Sequence, residues 1–370
     1  MFELAKLFLK LGFTAFGGPA AHIALMEQEV VTRRQWMTEE EFLDLIAVTN
    51  LIPGPNSTEM TMHVGRHQAG WPGMILAGTC FILPASLITG LLAWLYTQYG
   101  TLPQATPMLD GFKPAVLAIV AIVLYKFAKK TIKAPSNMAI FALTVGLAFS
   151  GLNEALVILI AGIAGVISCN IKSGSASATI VPLISMGTAG PFLTHATDYA
   201  IWKLALVFLK TGSILFGSGY VLFAFLEPDL VTRYEWLTRQ ELLDAIAIGQ
   251  FTPGPVLSAS TFIGYQVDGW AGAATATICI FLPSFLVVAI ATPLIPRLRK
   301  SKATSAFLDG AKTGSVGLIL VVLIRMGIEI LHGIGPAIIT TAALAILIWK
   351  PKLNSFWVIV IGGVGGYFLL

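Results

Sequence analysis

Charge is what this sequence has least of. Asp, Glu, Lys and Arg make up 11% of its 370 residues and 56% of the chain is hydrophobic, against roughly 25% charge in ordinary soluble domains. A chain so poor in charge cannot cover a water-facing surface, so it reads as an integral membrane protein with no soluble domain. Cysteine is also scarce. Cys80, Cys169 and Cys279 lie in apolar runs without paired spacing, which excludes a disulfide framework or a zinc site and leaves packing as their role. No GxxxxGK(S/T) loop occurs, so ATP is not the energy source within this chain. No nucleophile stands with a base and no metal-ligand cluster is present, which argues against a membrane enzyme and for no cofactor. The net charge of +4 is too mild for a nucleic-acid footprint.

What the chain has instead is apolar length. Runs able to cross a hydrocarbon core, which takes about 20 residues of helix, stand at 2–26, 70–99, 108–128, 200–226, 270–293 and 313–331. Closely spaced shorter pairs follow, 136–150 with 153–171 and 335–349 with 354–370. The first run is not a signal peptide, because Lys6 and Lys10 interrupt it and a near-copy stands at 208–226 in mid-chain.

The sequence matches itself at an offset of 200. FLKLGFTAFGG (8–18) meets FLKTGSILFGS (208–218), VTRRQWMTEEEFLDLIA (31–47) meets VTRYEWLTRQELLDAIA (231–247), and the two PGP triplets coincide. Between 8 and 55 there are 21 identities in 48 positions, which makes the chain two copies of one unit. One deletion later, at an offset of 199, Gly70-Trp71 meets Gly269-Trp270 and Leu109-Asp110-Gly111 meets Leu308-Asp309-Gly310. The expected organisation is an N-terminal repeat at 1–172, a linker at 173–199 and a C-terminal repeat at 200–370. Internal repeats are a common architecture of secondary transporters.

The positive-inside rule decides how the copies are oriented. Lys126, Lys129, Lys130 and Lys133 follow the span 108–128, whereas Arg297, Arg299, Lys300 and Lys302 precede the matching span in the second half. Equivalent spans therefore point in opposite directions. The fold expected is an all-α polytopic membrane protein of two inverted-topology repeats, each with about five spanning helices and a re-entrant broken-helix hairpin at 39–67 or 239–265. Arg33, Arg34, Arg66, Lys172, Lys350 and Lys352 then fall in the cytoplasm. Lys6 and Lys10 fall outside it, against the rule, and the semi-apolar linker would change the parity if it crossed.

The hairpins contain the functional candidates. Pro53 and Pro55 cannot continue a helix, and non-helical backbone at membrane depth is tolerated only where protein or a water-filled cavity satisfies it. After the break, Asn56, Ser57 and Thr58 open a short helix whose unpaired N–H groups favour an anion. In the second copy, Pro253, Gly254 and Pro255 precede Ser258, Ser260 and Thr261. Gly17 and Gly18, with Gly217 and Gly219, mark a second irregularity in each half. Two broken segments at corresponding places point to a transport site, with a packing kink as the competing reading.

Ionisable residues in apolar segments add to this set. Lys10 and Lys210 correspond and are candidates for drawing in an anion, unless they only snorkel to the interface. Arg33, Trp36 and Glu41 read as an interfacial anchor. Asp44 and Asp244 are read as either helix caps or coupling groups. His22 faces Leu222 across the repeat and is a proton-relay candidate. Glu59 is a coupling candidate too, since a carboxylate so close to a dianion site would repel it unless protonated or turned away.

FGGPAAHIALMEQEVVTRRQW, NLIPGPNSTEM, GWPGMILAGTCFILP and, in the second half, FGSGY, QFTPGPVLSASTFIGYQ and GWAGAATATICIFLP resemble the paired halves of the chromate ion transporter family. The resemblance covers both repeats and leaves only the linker unmatched. By position it implies signature residues at Phe16, Gly17, Gly18, Pro19, Arg33, Trp36 and Pro53 to Pro55, then Phe216, Gly217, Gly219, Tyr220 and Pro253 to Pro255; many members have glutamine where Glu59 stands. It further implies export of chromate, a tetrahedral dianion resembling sulfate, across the bacterial cytoplasmic membrane. Expected partners are chromate or sulfate and membrane lipid, with a homodimer left open and nucleic acid excluded. A passive oxyanion channel, or a transporter of another small anion, is the alternative.

Overall fold

The computed structural model of this chain describes residues 1–16, 18–49, 52–100, 106–173, 199–217, 222–298, 302–351, 353 and 355–370. Helix α1 (Phe2–Thr14) ends where Ala15 turns extended. Helix α2 (Gly18–Glu27) restarts at a glycine with φ +77° and winds on through a wider π turn, Gln28–Arg33. The two run antiparallel: Glu3 meets Arg34 at 2.9 Å, Lys10 meets Glu29 at 3.0 Å, and Ala15 meets His22 at 3.0 Å. The run 2–26, expected to cross as one span, is therefore a hairpin that doubles back near its glycines. Apolar length permits a crossing but does not set the chain's direction, and a left-handed glycine lets it reverse.

The second half repeats the hairpin. Helix α8 (Ile201–Ile214) leads to α9 (Leu222–Leu226) and the π turn Glu227–Arg233. Lys210 lies 2.7 Å from Asp229, and the rings of Tyr199 and Trp236 meet edge to face at 5.4 Å. The run 200–226 is thus corrected in the same way. The N-terminus consequently lies at the same end as Arg33 and Arg34, and the expected conflict over Lys6 and Lys10 disappears.

A second hairpin follows in each half. Helix α3 (Glu39–Thr49) opens with a capping box in which the Thr38 N–H donates to the Glu41 carboxylate and the Glu41 N–H donates to Thr38 Oγ1, 2.8 and 3.2 Å. Helix α10 (Arg239–Phe251) repeats it with Thr238 and Glu241. Glu41, read as part of an interfacial anchor, is thus a helix-capping residue. After the PGP break, α4 (Asn56–Tyr99) runs back beside α3: Gln68 donates to the carbonyl of Trp36 at 2.9 Å. The PGP triplet is the tip of this hairpin.

Helix α4 then folds sharply on itself at Ala69 and Gly70, the latter at φ +63° and ψ −148°, a conformation open essentially to glycine alone. Its two arms touch so closely that a Cβ on Gly65 would collide with the Gly73 carbonyl. In the second half a 3-10 turn, Val256–Ser258, leads into α11 (Ala259–Leu298), which folds at Asp268 and Gly269 with Gly264 against Gly272. The paired Gly-Trp motifs are these folds. The second arms of α4 and α11 pack antiparallel, Gly78 against Phe285 and Gly90 against Trp270.

The remaining helices exchange partners between halves. Helix α5 (Thr106–Thr131) is followed by α6 (Pro135–Phe149) and α7 (Glu154–Ser173), and α12 (Lys302–Ile330) by α13 (Ile334–Trp349) and α14 (Ser355–Leu369). Helix α5 packs on α13 and α14, while α12 packs on α6 and α7. The glycine of each Leu-Asp-Gly motif makes the contact: a Cβ on Gly111 would collide with the Gly362 carbonyl, and one on Gly310 with that of Ala161. Among the described residues four helical segments are long and apolar enough to cross a membrane, within α4, α5, α11 and α12, and α6, α7, α13 and α14 are shorter apolar helices. With α1/α2 and α8/α9 doubled back, the runs 2–26 and 200–226 do not each form one continuous helix long enough to cross. The protein is an all-α membrane protein.

Candidate functional site

The four hairpin tips meet by hydrogen bonds exchanged between the halves. The Gly54 N–H donates to the Leu215 carbonyl at 2.7 Å, and the Gly254 N–H donates to the Ala15 carbonyl at 2.9 Å. Residues 15 and 215 correspond, as do 54 and 254, so each PGP tip is pinned to the glycine-rich tip of the other half. Strand β1 (Gly54–Pro55) pairs in parallel with β2 (Phe216–Gly217). Both PGP glycines have positive φ, +136° at Gly54 and +82° at Gly254. Their outer faces meet matching positions of the opposite second arms: Ser284 lies 2.8 Å from where a Gly54 Cβ would be, and Ala85 lies 2.7 Å from that of Gly254.

Beyond each tip a helix begins without a side-chain cap. Pro55 and Pro255 are the N-caps and have no side-chain acceptor, so the first N–H groups of α4 and of the turn at Val256–Ser258 depend on other partners. Around these starts sit buried polar side chains. Ser57, Thr58, Ser258, Ser260 and Ser284 are all buried. Ser258 forms a hydroxyl cluster with Thr89 at 3.2 Å and Thr252 at 3.5 Å. The hydroxyls of Thr58, Ser260 and Ser284 have no hydrogen-bond partner among the described residues. Uncapped helix starts surrounded by buried hydroxyls can hold an oxyanion through N–H and O–H donors alone.

Of the residues singled out from the sequence, Pro53, Gly54, Pro55, Asn56, Ser57, Thr58, Glu59, Gly217, Pro253, Gly254, Pro255, Ser258 and Ser260 lie at or directly beside the tips, and Gly18 opens α2. Gly17, Gly219 and Tyr220, the greater part of the 173–199 linker and the side chain of Asp44 lie outside the described residues. His22 bonds through Nε2 to the Ala15 carbonyl, the same oxygen that Gly254 uses, and its ring packs edge-on against Phe81.

The basic candidates are directed elsewhere. Lys10 and Arg33 converge on Glu29 at 3.0 and 2.9 Å, and Lys210 and Arg233 on Asp229 at 2.7 and 4.0 Å. These clusters bind the two arms of each glycine-tip hairpin together, and the Lys10 side chain is 56% exposed. Asp244 is neither a helix cap nor a free acid: it lies 3.2 Å from Lys113 Nζ and accepts from the Tyr96 hydroxyl at 2.7 Å. Lys113 also bonds Asp110 at 2.6 Å. Sequence reasoning missed Glu29, Asp229 and Lys113. All three had a signal, since Glu29 and Asp229 correspond at an offset of 200, and Lys113 and Lys312 stand three residues after the paired Asp110 and Asp309.

The chromate transporter family model matches this chain twice, over residues 2–166 and 202–367. The probable chromate transport protein of Synechococcus elongatus is 32% identical over 374 residues, covering 98% of this chain and 94% of that protein. The chromate transport proteins of Cupriavidus metallidurans and Pseudomonas aeruginosa are 30% and 31% identical, over 95% and 99% of this chain and 89% and 91% of theirs. No solved structure matches. One family model thus fits each of the two units whose tips interlock, and the chain belongs to the chromate transporter family, whose members are transporters and not enzymes.

Proposed function

We propose that this protein moves chromate out of the cytoplasm across the inner membrane, accepts sulfate at the same site, and works by alternating access rather than as an open pore. The observation that supports this most is the reciprocal pair of tip bonds, Gly54 to Leu215 and Gly254 to Ala15. Each bond pins one PGP tip, with the uncapped helix start and buried hydroxyls beside it, to the opposite half, and this supports reading the two tips as parts of one site. Broken helices meeting at a repeat interface are the usual setting of a transported ion. A tetrahedral dianion suits such donors, because they require no counter-charge that would have to travel with it.

The halves are read as inverted. The antiparallel packing of the second arms of α4 and α11, and the exchange of α5 and α12 between halves, favour a two-fold relation about an axis in the membrane plane. The basic clusters around Lys129 and Lys302 then share the cytoplasmic face.

Flux in proteoliposomes tests the function. Chromate entry into vesicles that expose the cytoplasmic face outward should saturate and be competed by sulfate. Flux that rises linearly with concentration, unaffected by sulfate, would instead indicate a channel.

A further inference from the structure

The tip region holds an acid whose carboxyl group takes no part in the hydrogen bonds that join the hairpins. Glu59 is the fourth residue of α4 and is 0% exposed. Its Oε1 occupies the space that a Cβ on Gly54 would take, beside Ser284 of the opposite half. Neither carboxyl oxygen has a hydrogen-bond partner among the described residues. Among the described residues no ion pair reaches it, and it stands in the first turn of its helix, whose N–H groups are the donors assigned above to the oxyanion.

Several charged groups on the elements packed around it are held by other partners. On α1, Lys10 is held by Glu29, and on α2, His22 bonds the Ala15 carbonyl. On α3, Glu41 closes its capping box. On α10, Asp244 is bound by Lys113. On α11, Asp268 is bonded by Tyr199 and Tyr265 packs on Trp270, both at the end away from Ser284. On α4 itself, Arg66 donates to the carbonyls of Val288 and Ala289, and His63 stands one turn beyond Glu59.

We propose that Glu59 is the proton-binding group of the anion site, and that the oxyanion enters only when Glu59 carries a proton. The inference rests on the anion site proposed above. Ionised, Glu59 puts a fixed negative charge on the donors that the dianion needs, and it does so in a buried place without a cation. Protonated, it is a neutral acid that leaves those donors available and can donate a hydrogen bond itself. The step is a simple protonation, with the carboxylate taking one proton from water and returning it on release. The other tip lacks this group: residues 256–264 after its PGP contain no acid and no histidine, and Leu222 stands where the first half has His22. One proton per anion follows, and a dianion then crosses as a single net negative charge.

Sulfate is the probe, because it remains a dianion throughout the neutral range. Its affinity for the purified full chain is measured calorimetrically as pH is raised. For the wild type, affinity should fall about tenfold per pH unit once Glu59 ionises in the empty site, with uptake of one proton on binding, read from buffers of different ionisation enthalpy. Glu59→Gln and Glu59→Ala should bind sulfate with no pH slope and no proton uptake. A wild type that binds sulfate equally at every pH overturns the proposal, as does a folded Glu59→Gln that keeps the slope or a wild-type affinity that follows sodium instead of pH. A wild type that binds neither sulfate nor chromate at any pH would refute the anion site itself.

Discussion

Gly54 and Leu215, 161 positions apart in the chain, are joined by a 2.7 Å hydrogen bond from the N–H of one to the carbonyl of the other, and Gly254 and Ala15 repeat it at 2.9 Å. The tip of one half is therefore a structural part of the other. Movement of one hairpin must either carry or break a bond to its opposite.

The glycines at these tips are expected to be intolerant of a side chain. Gly254→Ala forces a Cβ into φ +82° and sets it 2.7 Å from the Ala85 methyl, and the two effects together cost roughly 2–4 kcal/mol. Ala85→Gly in the same protein should recover the steric part and leave the backbone part. A double-mutant cycle on thermal unfolding in detergent checks this, and independence of the two changes would contradict the contact.

The buried bridge between α5 and α10 should be a stability element. Lys113 and Asp244 are 6% and 4% exposed. Removing Lys113 leaves Asp244 as a buried carboxylate without its cation, which costs about 3–5 kcal/mol, whereas removing Asp244 leaves Lys113 still paired with Asp110. Lys113→Met should therefore lower the unfolding temperature far more than Lys10→Gln, whose half-exposed pair with Glu29 is worth about 1 kcal/mol or less. Differential scanning calorimetry of the two variants gives the comparison.

Single-cysteine labelling tests the orientation of the hairpins. In a cysteine-free background, Glu3→Cys, Gln68→Cys, Lys129→Cys and Lys302→Cys should react with an impermeant reagent from the cytoplasmic face, and Lys203→Cys from the opposite one. Reaction of Glu3→Cys and Gln68→Cys from opposite faces would show that 2–26 or the PGP hairpin crosses after all.

Much of this arrangement was legible in the sequence. The repeat and the breaks at the prolines and at the paired glycines of each first segment could be seen because backbone chemistry is local: proline cannot continue a helix, and glycine alone tolerates the reversed turn. The Gly-Trp pairs marked only matching positions, and the folds at Gly70 and Gly269 are visible in the structure alone. The doubling back of 2–26 was not seen, because hydropathy measures how much apolar chain is present and not where it turns. A cue was available in Lys10 and Glu29, spaced like Lys210 and Asp229, opposite charges that a hairpin brings face to face. The capping boxes are legible as Thr38 with Glu41 and Thr238 with Glu241, three residues apart at the start of each helix. The isolation of Glu59 could not be read at all, since it depends on Ser284 arriving from the other half.

A fixed negative charge at either tip tests most directly whether both PGP breaks form one anion site. At an effective dielectric near 20 and about 4 Å, each pair of like unit charges costs roughly 4 kcal/mol, which is about a thousandfold in affinity. Chromate binding to purified Ser57→Asp, Ser258→Asp and the two alanine variants, read as ligand protection against thermal unfolding, is the measurement. Both aspartate variants should fold and lose protection, while Ser57→Ala and Ser258→Ala, which keep the backbone donors, should stay within about tenfold of the wild type. A folded Ser57→Asp protein that binds chromate with wild-type affinity would contradict the site.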